Sequence, residues 1–135
     1  MAGGPGTSAI MVVEFKRPGR DDYALGKDGY DPIKQVNDTV KQMRMQKRFV
    51  TSDGATINIP TTTPITAFIV ADLEPKLRGV AEDYDFTESW DKTFLFRYHD
   101  GYDVYIEMFG YGKLLEDAKQ RNSPFFDVLL NEIGS

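Results

Sequence analysis

The sequence predicts an α/β (α+β) fold in which a mixed β-sheet is flanked by helices. Short runs rich in β-branched and aromatic residues are typical of strands, and one amphipathic segment carries clear helix start signals. The predicted order is strand, helix, hairpin, strand, short helix, hairpin and helices, which favours a mixed sheet over a regularly alternating parallel one. The 135 residues suit a single domain with its own core.

The first predicted strand covers Ile10–Phe15, and its last four residues open the segment "VVEFKRPGRDDY". Side chains alternate across a strand, so Glu14 and Lys16 share one face and Val13 lies on the other. We expect this pair at the end of a central strand, beside the first turn of the helix that follows. Because the sequence offers no strand before Ile10, we also expect this strand to lie near an unpaired edge.

A helix is predicted from Pro32 to about Gln46, after a Gly- and Asp-rich loop over residues 17–31. Asp31 is a good N-cap and proline suits the first helical position. The residues that form its single apolar stripe are Ile33, Val36, Val40 and Met43.

The remaining elements follow from turns and apolar runs. A hairpin is predicted around Asp53-Gly54 and a second around Asp100-Gly101. Between them, "ITAFIVADL" predicts a strand buried on both faces, and "EPKLRGVAEDY" a short helix. The chain should close with two helices, one containing Leu114, Leu115 and Ala118, and one capped by Ser123 with the core residues Phe125, Phe126, Leu129 and Leu130.

Composition limits the classes of function. There is no cysteine, which excludes disulfides and thiolate metal sites, and no apolar run approaches the length of a membrane span. Residues 1–9 are interpreted as a flexible leader or an expression remnant, and residues 10–135 as one domain, with a cytoplasmic location expected. The net charge is −5, yet residues 1–50 carry nine Lys and Arg against six Asp and Glu. This basic excess is either a phosphate-facing surface or a solvated face that arose by chance.

The spacing of Glu14 and Lys16 allows two interpretations. A carboxylate at a half-buried position can hold a hard cation such as Mg²⁺, while a lysine two residues on orients attacking water or stabilises charge on a phosphate. The alternative is a salt bridge at a strand end. The motif alone is too short to decide between them.

The run "VVEFKRPGRDDY" followed by "DPIKQVNDTVKQMR" resembles the second half of a PD-(D/E)XK nuclease core. The resemblance implies that Glu14 binds Mg²⁺ or Mn²⁺, that Lys16 assists water attack, and that Gln35 positions one of them. Thr39 stands where an aromatic residue often accompanies that glutamine. The cations that would contact phosphates of nucleic acid, with DNA expected, are Arg17, Arg20 and Lys34.

The segments "TPITAFIVADLEPKLRGVAE", "YDVYIEMFGYGKLLEDAKQRN" and "FFDVLL" resemble the restriction-endonuclease-like region at the C-terminus of bacterial proteins with a GHKL-type ATP-binding module. The resemblance covers about residues 10–133. It implies a partial restriction-endonuclease-like core, a C-terminal fragment of a longer protein, and an upstream ATPase module as partner. The family's first site carboxylate, which comes from a preceding strand, has no counterpart before Ile10.

Asp72 is a candidate for the second metal ligand if its strand lies parallel to the strand of Glu14. Its alternative role is a cap on the following helix. With one carboxylate in hand, we expect weak or absent metal-dependent cleavage by this chain alone. The alternative function is a non-catalytic module that binds nucleic acid or docks a protein, or that forms a homodimer through the exposed sheet edge.

Overall fold

The computed structural model describes residues 9–121, with the burial of side chains given through residue 116. The described part contains seven strands and three helices. In chain order they are β1 (Ile10–Phe15), α1 (Pro32–Gln46), β2 (Arg48–Val50), β3 (Thr56–Asn58), β4 (Ile65–Val70), α2 (Pro75–Asp83), β5 (Thr87–Glu88), β6 (Phe94–His99), β7 (Val104–Phe109) and α3 (Tyr111–Arg121).

A mixed five-stranded sheet organises the fold, in the order β1-β4-β7-β6-β5. Strand β4 pairs in parallel with β1 on one side and with β7 on the other, and β6 is antiparallel to both β7 and β5. The predicted mixed sheet with helical cover is therefore confirmed. Strand β1 is at the edge of this sheet within the described residues, so the expectation of a central strand is wrong and that of an edge strand holds there.

The core lies in two layers, one on each face of the sheet. The larger layer packs α1 and α2 against the sheet, and Ile10 and Val12 contribute to it from β1. The smaller layer lies under the start of α3, and Val13 and Phe15 contribute to it from the same strand. The predicted alternation along β1 is thus confirmed, and Glu14 belongs by its position to the face that α1 covers.

Helix α1 has the boundaries that its capping residues predict. The Asp31 side chain accepts a hydrogen bond of 2.9 Å from the Lys34 N–H, and Pro32 is the first helical residue. At the other end Lys47 adopts a left-handed conformation and donates its N–H to the Met43 carbonyl at 2.9 Å. The predicted apolar stripe is buried along its whole length, so the helix forms the crossover between β1 and β4.

The two hairpins, the buried β4 strand and the short helix α2 also form where the sequence predicts them. The two-residue strand β5 was not predicted. The helix predicted to begin at Ser123 lies outside the described residues. Among the helices that the structure describes, none combines the length and apolar character needed to cross a bilayer.

Candidate active site

Glu14 and Lys16 form an ion pair at the carboxyl end of β1, with the lysine Nζ 3.1 Å from the carboxylate Oε1. The two side chains share one face, as the strand periodicity predicts. Their environments differ, because the Lys16 side chain is 10% exposed and the Glu14 side chain 33%. The ammonium group is therefore shielded from bulk water while one edge of the carboxylate remains reachable.

The backbone of Lys16 is fixed from two directions. Its N–H donates to the Val70 carbonyl at 2.9 Å, which extends the pairing between β1 and β4 by one residue. Its carbonyl accepts a hydrogen bond of 2.5 Å from the hydroxyl of Tyr111, the first residue of α3. Burial raises the pKa of Tyr111, and the negative charge of Asp72 raises it further, so the hydroxyl proton stays available for this bond. The lysine is thus held at the junction of β1, β4 and α3.

Gln35 lies in the first part of α1, the helix that packs on the Glu14 face of the sheet. Its Oε1 atom is buried and accepts no hydrogen bond within the described part of the chain. A buried acceptor without a donor costs about 1–3 kcal/mol, so a water or ligand donor at this atom would stabilise the site. Thr39 donates its hydroxyl to the Gln35 carbonyl at 2.9 Å, which makes its role local to the helix.

Asp72 follows β4 at the same end of the sheet as Glu14, because β1 and β4 are parallel neighbours. Its Oδ2 accepts a hydrogen bond of 2.5 Å from the Gly19 N–H and so holds the loop after β1 against the end of β4. The cap of α2 is Glu74, whose side chain accepts from the Leu77 N–H at 2.5 Å. The alternative interpretation of Asp72 as a helix cap is therefore wrong.

The three predicted phosphate contacts have different surroundings. The Arg20 guanidinium donates to Asp22 and to the Gly29 carbonyl, both at 2.5 Å, and its hydrogen bond to Asp22 holds the pKa of that carboxyl below the usual range. It also lies 5.3 Å from the ring centre of each of two tyrosines, Tyr23 and Tyr30. Arg20 therefore organises the loop that it belongs to.

Lys34 lies between two carboxylates, 2.7 Å from Asp28 and 2.9 Å from Asp38. The hydrogen bonds to these two groups raise the lysine pKa. Arg17 is exposed and forms no side-chain hydrogen bond or ion pair within residues 9–121, although its charge helps to lower the pKa of Asp22. Of the three predicted contacts, Arg17 is the one whose charge is not already paired inside the described chain.

Glu14 and Gln35 both carry oxygen atoms of the type that a hard cation prefers as ligands. Glu14 offers a partly exposed carboxylate, and Gln35 offers a buried amide oxygen that accepts no hydrogen bond from the described residues. Within the described residues, however, no three His, Cys, Asp or Glu side chains come together at metal-binding distances. The residues therefore fit part of a cation's coordination shell, and a second carboxylate would be needed to hold the ion firmly.

A surface cleft of about 710 Å³ was not predicted. It lies where β4 and β7 end and α2 and α3 begin, and its lining includes Asp72, Lys92 and Tyr111. The turn before β6 borders it and presents Trp90, which is 93% exposed. A cleft assembled from segments 40 residues apart leaves no periodic signal in the sequence. A tryptophan read from the sequence alone would suggest a core residue, so the exposure of Trp90 also had no signal.

His99, the last residue of β6, is half-buried beside the Asp100-Gly101 turn. Its ring stacks on Tyr102 with 4.7 Å between ring centres, and its Nδ1 accepts from the Tyr102 N–H at 3.2 Å. These contacts give it a role in the β6–β7 turn.

Comparison of the chain with protein-family models, with curated proteins and with solved structures finds no match.

Proposed function

We propose that the domain is a divalent-metal-dependent phosphodiester hydrolase of the nuclease type, with Glu14 and Lys16 at its centre. The observation that carries the proposal is the ion pair at the carboxyl end of β1, in which a shielded lysine is held 3.1 Å from a partly exposed carboxylate. Ligand sites in α/β sheets lie preferentially at the carboxyl ends of the strands, which supports this location.

Each residue has a defined role in the proposed reaction. Glu14 is a ligand for Mg²⁺ or Mn²⁺, which would polarise a phosphoryl oxygen when bound. Lys16 orients the attacking water or stabilises negative charge on the phosphate, and its low exposure strengthens this electrostatic effect. Gln35 is a positioning residue, since its buried Oε1 can accept a proton of a bound water.

The substrate is proposed to be nucleic acid, with DNA expected and Arg17 as the phosphate contact whose side chain forms no hydrogen bond or ion pair in the described chain. The proposed second acidic ligand is Asp72, which follows β4 at the same end of the sheet as Glu14 and whose Oδ2 is already engaged by the Gly19 N–H. For this reason a dilute, isolated chain should cleave weakly or not at all. An upstream ATPase module and a cytoplasmic setting complete the proposal.

Purified chain at high concentration tests the proposal with labelled single-stranded and duplex DNA, with and without Mg²⁺. Cleavage should require Mg²⁺ and be abolished by Glu14→Gln and by Lys16→Met. The matched control is Glu107→Gln, which alters a strand carboxylate bonded to Tyr105 and away from the Glu14–Lys16 pair. Metal-dependent cleavage that survives Glu14→Gln would contradict the assignment.

A second candidate is a non-catalytic module that binds a protein or nucleic acid. Two of the three predicted phosphate contacts, Arg20 and Lys34, already pair within the chain, which weakens the case for a nucleic-acid track. The exposed edge of β1 favours pairing with another polypeptide strand. Under this alternative, Glu14→Gln would leave partner binding unchanged and no preparation would cleave DNA.

A further inference from the structure

The outer edge of β1 has a regular set of backbone groups that are unpaired within the described part of the chain. The N–H of Ile10 bonds to the Pro64 carbonyl and that of Lys16 to the Val70 carbonyl, so the even-numbered residues direct their polar groups toward β4. Because successive residues of a strand point these groups to opposite sides, Met11, Val13 and Phe15 direct theirs outward. No backbone partner for these groups occurs within residues 9–121.

The same edge lacks the features that usually prevent strand pairing. Proteins protect an exposed edge with proline, lysine, a bulge or inward-pointing charge. Strand β1 contains none of the first three, and the charge of Glu14 is already paired with Lys16. In addition, the Met11 side chain is 52% exposed beside this edge. An apolar, regular edge of six residues is a template for a further strand.

We propose that a second copy of this chain pairs with β1 in antiparallel fashion about a two-fold axis through Val13. This register uses every outward group, because Met11 pairs with Phe15 of the other copy and Val13 with its own equivalent. Each of these three pairs exchanges two N–H···O=C bonds. The exposed Met11 side chain then packs beside a phenylalanine ring on the α3 face. The product is one continuous ten-stranded sheet with closed two-fold symmetry.

This register also adds a second carboxylate to the site, an inference that rests on the proposed function. A two-fold axis perpendicular to the sheet preserves its faces, so both Glu14 side chains lie on the α1 face. Glu14 stands directly opposite Val12 of the other copy, which makes the two Glu14 residues diagonal neighbours, about 7–8 Å apart. Two carboxylates at that spacing can share one hard cation, and the second copy thereby brings a further carboxylate to the ion that Glu14 binds.

Sedimentation velocity over a dilution series tests the pairing directly. The wild-type chain should shift from a single-chain mass of 15.3 kDa to twice that mass as its concentration rises. Val13→Pro removes an outward N–H and is compatible with an edge strand, and it should abolish the dimer. Met11→Lys, which places a lysine on the edge, should weaken it about tenfold or more.

The matched control is Met45→Lys, which changes an equally apolar residue, 72% exposed on α1, and should leave the dimer intact. If Val13→Pro fails to fold, Met11→Lys decides alone. A wild-type chain that remains at 15.3 kDa at every concentration overturns the proposal. So does a dimer that Met45→Lys disrupts and Met11→Lys does not.

The shared ion has its own measurement, which separates this inference from the proposed hydrolysis. Mg²⁺ should tighten the wild-type dimer and leave the Glu14→Gln dimer unchanged. A wild-type dimer that is indifferent to Mg²⁺ overturns the shared ion site, whether or not the chain cleaves DNA. A dimer that tightens with Mg²⁺ but cleaves nothing keeps the shared site and overturns the proposed hydrolase.

Discussion

Strands β1 and β7 are the two parallel neighbours of β4, and their comparison separates local pattern from position in the sheet. Both have six residues, and both are apolar apart from a single glutamate, Glu14 in one and Glu107 in the other. Strand β7 has β6 on its outer side, and four of its residues are buried. Strand β1 has no outer neighbour within the described residues, and none of its six residues is fully buried.

The difference shows that strand-forming sequence alone does not decide how deeply a strand is buried. It also separates the two glutamates. Glu107 has a tyrosine hydroxyl of its own strand as partner, at 3.1 Å from Tyr105. Glu14 has a lysine at the strand end, next to backbone groups that have no partner within residues 9–121. A charged pair at an incompletely covered edge can change partners more readily than a hydrogen bond inside a paired strand.

The largest expected effect is at the centre of β7. Ile106 is completely buried, so Ile106→Ala should lower the free energy of unfolding by about 2–5 kcal/mol through lost contacts and the cavity that remains. The corresponding change in β1, Val12→Ala, should cost about 1 kcal/mol because the side chain is only half-buried. Chemical denaturation of both variants makes the comparison, and equal losses would contradict it.

The crossover from β1 to β4 depends on Asp31, which is completely buried. Its carboxylate accepts hydrogen bonds from the Lys34 and Gly26 N–H groups and, at 2.7 Å, from the Tyr84 hydroxyl. Asp31→Ala removes the cap of α1 and leaves the other donors without a partner, so it should cost about 2–3 kcal/mol. Thermal unfolding measures this loss. The exposed Asp28→Ala is the control and should leave the stability unchanged.

The Glu14–Lys16 pair should respond unequally to the loss of each partner. Glu14→Gln leaves a shielded ammonium without its counter-charge and should cost about 1–2 kcal/mol. Lys16→Met leaves a carboxylate that still reaches water and should cost less than about 0.5 kcal/mol. Urea denaturation of the two variants provides the measurement. A larger loss of stability for Lys16→Met than for Glu14→Gln would contradict this expectation.

Alkaline pH offers a gentler test, on one tyrosine of β7 and one in the loop after β1. Burial, the leading cause in each case, raises the pKa of Tyr105 in β7 and of Tyr23 in the loop after β1 to about 12, from the ordinary value of 10.0. A raised pKa means that folding favours the protonated form. Its stabilisation is therefore complete below about pH 10 and is lost as the pH rises toward about 12. Tyrosinate absorbance and unfolding against pH should show this loss, reduced in Tyr105→Phe and Tyr23→Phe.

Sequence reasoning predicted the elements that local chemistry defines. Asp31 and Pro32 set the start of α1, and the period of two placed Glu14 beside Lys16. It could not predict the two-residue strand β5, because so short a segment has no period. It also could not predict the hydrogen bonds of Arg20, because its partners depend on the path of the loop.

The less predictable part of the site depends on contacts between distant segments. The Tyr111 hydroxyl meets the Lys16 carbonyl across 95 positions of sequence, and nothing local to Tyr111 indicates such a bond. The cleft beside Asp72 and the exposure of Trp90 likewise depend on how β4, β7 and β6 align. Strand order among parallel neighbours is set by the packing of the whole sheet, which residue patterns describe only indirectly.

The parallel pairing of β1 with β4 also bears on how the chain folds. Strands β6 and β7 are joined by a tight turn and can zip together within microseconds, whereas β1 must close a long loop before it meets β4. Parallel pairing of this kind slows folding, so we expect β1 to join a preformed β4–β7–β6 unit late. Amide exchange during refolding should then protect β7 first and β1 last, and a newly made chain would spend its most aggregation-prone moments with β1 still undocked.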